Sequence, residues 1–395
     1  MATHIGIGFS QEPNTSNASR DAALQAKAQI KQKTVDFTIV FTTPHYSPLE
    51  TLRVIRQILP QAKTIGCSTA GIILAQSVEM RGIAVLAITS DDFKFGIGCA
   101  EDLASADMRV AGAELARATV MDFGQNRRGA FIVFSDGLLR NSAPLVKGAQ
   151  EIFGRVFPVV GAGSSDNLSF RETYQFFQDK PMTNSATATL LGGQIRIGVG
   201  NRHGWKPLGK PRFVKKSEGN IIKTIDDKRA THIYEEYLGL GLEELQSRQF
   251  IHTAMLYPLG LYIEGEKEYL LRTVVAILSD GSMVCQGDVP EESEVHLMIS
   301  NKDFCHQAAI EATHEALDTL SGRPPRLAII FESLSRQKLL GRDIVQEIQA
   351  VREILSPATP IIGMYSYGEI APLKSMNHIG EAIVQNGTIV VLTVA

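Results

Sequence analysis

The chain has 395 residues, of which 44% are hydrophobic and 21% charged, and its net charge is −3. That length exceeds one ordinary core, so two or perhaps three globular units are expected. The mixed charge gives no basic face for nucleic acid or an anionic membrane, the apolar stretch 251–263 is broken by Pro258 and Gly260, and no secretory signal opens the chain.

Residues 5–9 (Ile-Gly-Ile-Gly-Phe) read as a short strand, and 18–33 as an exposed helix rich in Ala, Gln and Lys. Phe37–Thr42 has the composition of a buried strand. Ser47-Pro48-Leu49-Glu50 then starts a helix: Ser is the N-cap, Pro takes the first helical position, and Glu stands three residues after the cap. Leu52, Ile55 and Leu59 give that helix an apolar face, and Pro60 stops it.

An internal repeat is the most informative feature. One unit runs from strand 37–42 through helix 48–59 to Gly66-Cys67-Ser68. A second runs from strand 130–135 through a helix near 143–153 to Gly161-Ala162-Gly163-Ser164. A third runs from strand 327–331 through a helix near 342–355 to Gly363-Met364-Tyr365-Ser366. Strand–helix–strand at this spacing predicts right-handed parallel crossovers. The first two units continue alike, 84–88 then 95–98 against 188–191 then 197–200, and these strand pairs read as antiparallel hairpins. The fold class is therefore α/β, with mixed sheets flanked by helices. A period near a hundred residues suggests duplicated halves rather than a solenoid. Later, Asp280-Gly281 marks a hairpin turn, 294–299 a strand, 303–320 a helix and 388–394 a final strand.

The small residues after the repeated strands lie where open α/β sheets gather ligands, outside the carboxyl ends of parallel strands. They line a pocket, or they are turns whose hydroxyls are satisfied locally. Tyr365, Tyr367 and Glu369 end a strand facing a loop, where they close over a ligand or form a domain contact. The cysteines Cys67, Cys99, Cys285 and Cys305 are widely spaced. They form neither a metal knuckle nor a disulfide framework, which suits a reducing, cytoplasmic setting. Gly66–Gly71 is one residue too long for a nucleophile elbow, and no zinc-protease or dinucleotide signature is present. No catalytic trio is legible, so a chain that is not an enzyme is expected.

Gly-Cys-Ser-Thr-Ala-Gly (66–71), Gly-Ala-Gly-Ser-Ser-Asp-Asn-Leu-Ser-Phe (161–170) and Gly-Val-Gly-Asn-Arg-His-Gly-Trp-Lys-Pro-Leu-Gly (198–209) resemble the FIST N-terminal domain, and Tyr-Ser-Tyr-Gly-Glu-Ile-Ala-Pro (365–372) resembles the end of the FIST C-terminal domain. The resemblance spans residue 30 to the C-terminus and implies a ligand-sensing domain over 1–220 and a second domain over 221–395. It also implies a sensory input module of signal transduction. With nothing after Ala395, the expected partner acts in trans: a histidine kinase, or a diguanylate cyclase or phosphodiesterase. A homodimer is also open.

The family implies two classes of ligand. One branch senses nitric oxide with haem, and amino acids or similar metabolites are the alternative. For non-covalent haem b, His45 is the candidate axial ligand, because this chain has Pro44-His45-Tyr46 between a strand and a helix where the family pattern is Pro-Glu-Tyr or similar. The bland reading of His45 is a surface loop or cap. Tyr46, Cys67 and Ser68 lie at the same expected pocket end, with Cys67 alternatively a small buried residue. Arg202, with Lys206 and Lys210, is placed to meet propionates or a ligand carboxylate, or forms a solvated basic face. His203 belongs to the His-Gly-Trp motif and packs against Trp205.

Overall fold

The computed structural model describes residues 3–30, 34–139 and 141–395. Strands Phe37–Thr42 and Lys63–Ser68 pair in parallel around helix Pro48–Ile58. The same crossover recurs in Arg128–Ser135 with Val159–Gly163 around Ala143–Phe153, and in Leu327–Ser333 with Ile361–Ser366 around Ile344–Leu355. Ser47 caps the first of these helices, its hydroxyl accepting from the Glu50 N–H at 3.4 Å, with Pro48 at the start.

The repeat is threefold, where the sequence suggested halves. Each unit opens on a strand, adds a long helix, makes the parallel crossover, sends out a hairpin and closes on a last strand. Unit one is 3–90, unit two 93–193 and unit three 197–394. The opening strands carry Ile5-Gly6-Ile7-Gly8, Phe95-Gly96-Ile97-Gly98 and Ile197-Gly198-Val199-Gly200. Each pair of glycines lies against its unit's first helix. A Cβ on Gly8, Gly96 or Gly200 would run into the carbonyl oxygen of Ala22, Thr119 or Ala312. Those helices span Thr15–Ala28, Met108–Phe123 and Lys302–Asp318, and residues 31–33 of the predicted first helix lie outside the described residues.

The predicted hairpins between 84–88 and 95–98, and between 188–191 and 197–200, are not formed. Ile83–Ser90 is already bonded on both edges, by Thr3–Ser10 and by Phe37–Thr42, so it has no edge left for Phe93–Ala100. Phe93–Ala100 instead opens the next sheet, beside Ala186–Gly193. Ile197–Arg202 likewise opens the third, beside Ile389–Val394.

Three six-stranded sheets result, and each is completed by its neighbour's hairpin. Gln175–Phe177 of unit two pairs with Lys63–Ser68 of unit one. Glu369–Pro372 of unit three pairs with Val159–Gly163 of unit two, and Ile72–Leu74 of unit one pairs with Ile361–Ser366 of unit three. The inner faces share one core. Phe41, Phe134 and Phe331 hold equivalent registers and meet near the centre, with ring centroids 5.6 Å apart for the first pair and 5.9 Å for the second. The outer faces are covered by the helices, which is why the central strands are apolar on both sides.

Residues 203–301 interrupt unit three between its first strand and its long helix. They form an inserted layer around an eight-stranded antiparallel sheet, with its own core around Val214, Tyr234, Leu259 and Leu297. Long strand Lys206–Glu218 pairs with Glu294–Ile299 on one side and Ile221–Ile225 on the other. The predicted hairpin at Asp280-Gly281 forms between Val274–Ile277 and Met283–Cys285. No helix among the described residues is long and apolar enough to cross a membrane.

Candidate functional site

The parallel strands all end toward one face, and there the inserted layer leans over unit three. Between them lies a cavity of about 270 Å³. The ends of strands Leu327–Ser333 and Ile361–Ser366 bring Ser333, Ser366 and Tyr367, and Ser335 follows on the next turn. The inserted layer brings Ile251 and Met255 on helix Phe250–Leu256, Thr273, Val275 and Ala276 at strand Val274–Ile277, and Gln286. Unit two supplies Leu138, Leu139 and Phe170. One wall is apolar and the opposite edge is hydroxyl and amide. No charged side chain is among the described residues that line it. Such a cavity suits a small guest without net charge, since an ion would enter unpaired.

Its polar edge is firmly held. The Ser333 and Ser335 hydroxyls lie 2.9 Å apart, and the Gly387 N–H donates to Ser333 Oγ at 3.2 Å. Gln286 donates to the Tyr367 carbonyl. The Tyr367 ring stacks on Phe170 at 5.0 Å and 15°, and its hydroxyl donates to Asp166 while accepting from the Leu168 N–H at 2.7 Å. Ser366 donates to Glu369 Oε1 at 2.6 Å, and Glu369 Oε2 accepts from Thr388 Oγ1 at 2.7 Å and Thr388 N at 3.1 Å. The Ser366 hydroxyl also lies 3.1 Å from the Glu332 carbonyl. Burial pushes the Glu369 carboxyl up to about 7, against those hydrogen bonds and the Arg336 charge.

Behind Glu369, fully buried Arg336 is bonded to Glu332 at 3.2 Å and to Glu347, and donates to the carbonyls of His203 and Cys305. Burial, with Glu347 beside it, raises the Glu332 carboxyl well above its ordinary value. This group holds the end of unit three, from which Ser333 and Ser366 project.

The structure does not bring the six sequence candidates together. His45 is exposed, its Nδ1 3.0 Å from Thr43 Oγ1. Tyr46 and Ser68 line a second cavity between units one and two, treated below. Cys67 is fully buried in the shared core, its Sγ 3.4 Å from Met364 Sδ, and burial raises its thiol pKa well above the ordinary value. Arg202 is buried against Glu311 and Glu315 of helix Lys302–Asp318. His203 is buried, accepts from the Trp205 N–H at its Nδ1 (2.7 Å) and contacts the Tyr269 carbonyl through Nε2 (2.8 Å). That geometry requires the Nε2–H tautomer, and burial, against the pull of Glu268, lowers the His203 pKa and keeps the ring neutral. Arg202 and His203 adjoin a third cavity that shares no lining residue with the second. Haem b would need an axial donor facing an apolar slot. Here the cavity beside His45 is walled by Pro44, Tyr46, Pro48 and Tyr174 together with Thr42, Ser68, Asp166, Arg171 and Glu172, and His45 itself is not among its lining residues.

Of the residues that line the principal cavity, Tyr367 was singled out by sequence, while Ser366 and Phe170 stood there only at the ends of motifs. The signal for Ser333 and Ser366 lay in the repeat: once Gly66, Gly161 and Gly363 are aligned, both serines fall at the ends of the paired strands.

Comparison with known proteins adds the family. The FIST N domain matches residues 36–228 and the FIST C domain matches residues 230–372. The chain belongs to the FIST family. FIST domains are sensory domains of signal transduction. An uncharacterized protein of Methanocaldococcus jannaschii is 21% identical over 284 residues, covering 67% of this FIST chain and 53% of that protein. The chain thus spans about half the length of that relative. Among solved structures, a cyanuric acid hydrolase from A. caulinodans is 10% identical, with a TM-score of 0.42, over 100% of this chain and 99% of that one. A chorismatase is 9% identical, with a TM-score of 0.36, over 100% of this chain and 99% of that one. The sequence expectation of a chain that is not an enzyme finds no support here: both of these solved structures are of enzymes, and at these TM-scores neither likeness assigns this FIST chain a reaction.

Proposed function

We propose that the chain is a sensory module whose ligand is a small metabolite without net charge, held in the cavity between the three-unit body and the inserted layer. One observation carries the reading: the cavity's apolar wall comes largely from the inserted layer, and its hydroxyl edge from the strand ends of unit three. A guest that touches both bodies favours one arrangement of them, and a partner that prefers that arrangement is coupled to the guest with reciprocal strength. A histidine kinase or a cyclic-di-GMP enzyme, met in the cytoplasm, is the partner class this reading assigns. Family membership supports the sensory role, and the uncharged lining favours a neutral metabolite over a free amino acid.

The test is a thermal-shift screen of neutral metabolites against wild type and Ala276→Phe, which fills the cavity. At 100 times its Kd a true ligand stabilises by about 2.7 kcal/mol, and the shift should vanish in the variant. A shift that persists in Ala276→Phe moves the site elsewhere. Retention of hemin, with a Soret band lost in His45→Ala, would replace this reading with haem sensing of nitric oxide.

A further inference from the structure

The second cavity, about 260 Å³, lies between the ends of strands Phe37–Thr42 and Lys63–Ser68 and the loop 166–174. Thr43 stands here where Ser333 stands in unit three, because Thr42 pairs with Ser68 as Glu332 pairs with Tyr365. We propose that this cavity is a second binding site, for a ligand bearing a single carboxylate.

The argument is a census of donors and acceptors. Tyr46 is 4% exposed and lines the cavity, yet its buried hydroxyl has no hydrogen-bond partner among the described residues. A buried phenol left so costs free energy, which a guest that accepts its proton returns. Ser68 Oγ accepts from the Tyr174 N–H at 3.0 Å, so its own proton is available to a guest. The exposed Arg171 guanidinium, also on the wall, forms no ion pair among the described residues. Tyr46, Ser68 and Arg171 thus bring uncommitted donors to the wall of one space.

The acceptors there are already committed. Asp166 accepts from the Ser169 and Tyr367 hydroxyls and from the N–H groups of residues 170, 171 and 172. Burial would raise its pKa, but these bonds outweigh burial and hold the carboxyl below the usual range, so it stays ionised. The Glu172 carboxylate accepts from the Tyr174 hydroxyl at 2.5 Å. The guest must accept hydrogen bonds and carry negative charge for Arg171, whose planar fork matches a carboxylate. Two acidic side chains beside one guanidinium disfavour a doubly charged guest such as phosphate more than a singly charged one.

The experiment is titration calorimetry with acetate, propionate and benzoate, each against its neutral amide, and with inorganic phosphate. At least one carboxylate should bind tenfold or more tightly than its amide and more tightly than phosphate. Arg171→Gln should weaken it by about tenfold or more and Tyr46→Phe by several-fold, with both variants melting as wild type. Ala276→Phe should leave this binding intact, so failure of the first site and of this one are told apart. The proposal is overturned if no carboxylate outbinds its amide, if phosphate binds more tightly, or if neither Arg171→Gln nor Tyr46→Phe weakens the complex.

Discussion

Gln175 in unit two and Glu369 in unit three hold the same structural position, and the contrast between them shows where this molecule departs from its own symmetry. Each opens a hairpin that crosses to the preceding sheet, Gln175 opposite Cys67 and Glu369 opposite Ala162. Each is fully buried between two hydroxyls. Gln175 Nε2 donates to Ser164 at 2.6 Å and its Oε1 accepts from Ser185 at 2.7 Å, while Glu369 accepts from Ser366 and Thr388. The third equivalent, Ile72, is apolar. One scaffold thus carries an apolar, a neutral polar and an ionisable version of one position. The ionisable version stands behind the principal cavity. It also stands beside Arg336, for which unit two has no counterpart: Ser135 sits where unit three has Glu332.

The largest effect should come from breaking the charged version. Arg336→Met leaves Glu332 and Glu347 buried without their cation and should cost on the order of 3–5 kcal/mol, measured by chemical denaturation. A loss under about 1 kcal/mol would mean that the cluster is no more than the neutral packing of unit two.

Converting one version into the other comes next. The Glu369 carboxyl titrates at about 7 in the folded chain against an ordinary 4.5. The folded state therefore binds the extra proton between those values, and this group's contribution to stability falls as pH rises from about 4.5 to about 7, by on the order of 3 kcal/mol in all. Glu369→Gln should flatten that part of the profile, because the Gln175 geometry shows that an amide is accommodated between two hydroxyls. Gln175→Glu should create a similar slope in unit two. Parallel profiles for wild type and Glu369→Gln would refute the reading.

A smaller effect is expected for Tyr367→Phe, which removes the bond to Asp166 and should cost about 1–2 kcal/mol at neutral pH. The Asp166 carboxyl is depressed in the folded chain, so its stabilisation is present above the unfolded carboxyl pKa and is lost as pH falls through the folded one. The Tyr367→Phe penalty should shrink with it in acid, and a penalty independent of pH would assign Tyr367 to packing alone.

The smallest difference separates Ser164→Ala from Ser366→Ala. Each removes one hydroxyl, at about 1 kcal/mol. Only Ser366→Ala should shift the titration of Glu369 upward, read by carboxyl NMR, since only there does the hydroxyl stabilise a charge.

The repeated crossovers were legible because each requires a local pattern: a β-rich run, a helix with caps, and a glycine within the second strand. Gly66 and Gly161 show why, since a Cβ on either would strike the carbonyl of Val40 or Val133 on the parallel neighbour. The halves reading failed because the insertion at 203–301 hides the third copy's spacing, and because Ile5-Gly6-Ile7-Gly8 is too short to be matched alone. The site was mostly illegible. Leu138, Met255 and Gln286 are far apart in sequence and carry no motif, and only Ser366 stood in a repeated segment.

By itself the sequence determined the α/β class, the three strand–helix–strand units and the family. Those follow from periodicity and capping, which act within a dozen residues. Only the tertiary structure decided which edges pair. Lys63–Ser68, Val159–Gly163 and Ile361–Ser366 each leave one open edge within their own unit, and an open edge must find a partner. Each finds it in a neighbour's hairpin, which closes the three units on one another. The insertion then leans over the ends of units three and two, and that asymmetry creates the principal cavity.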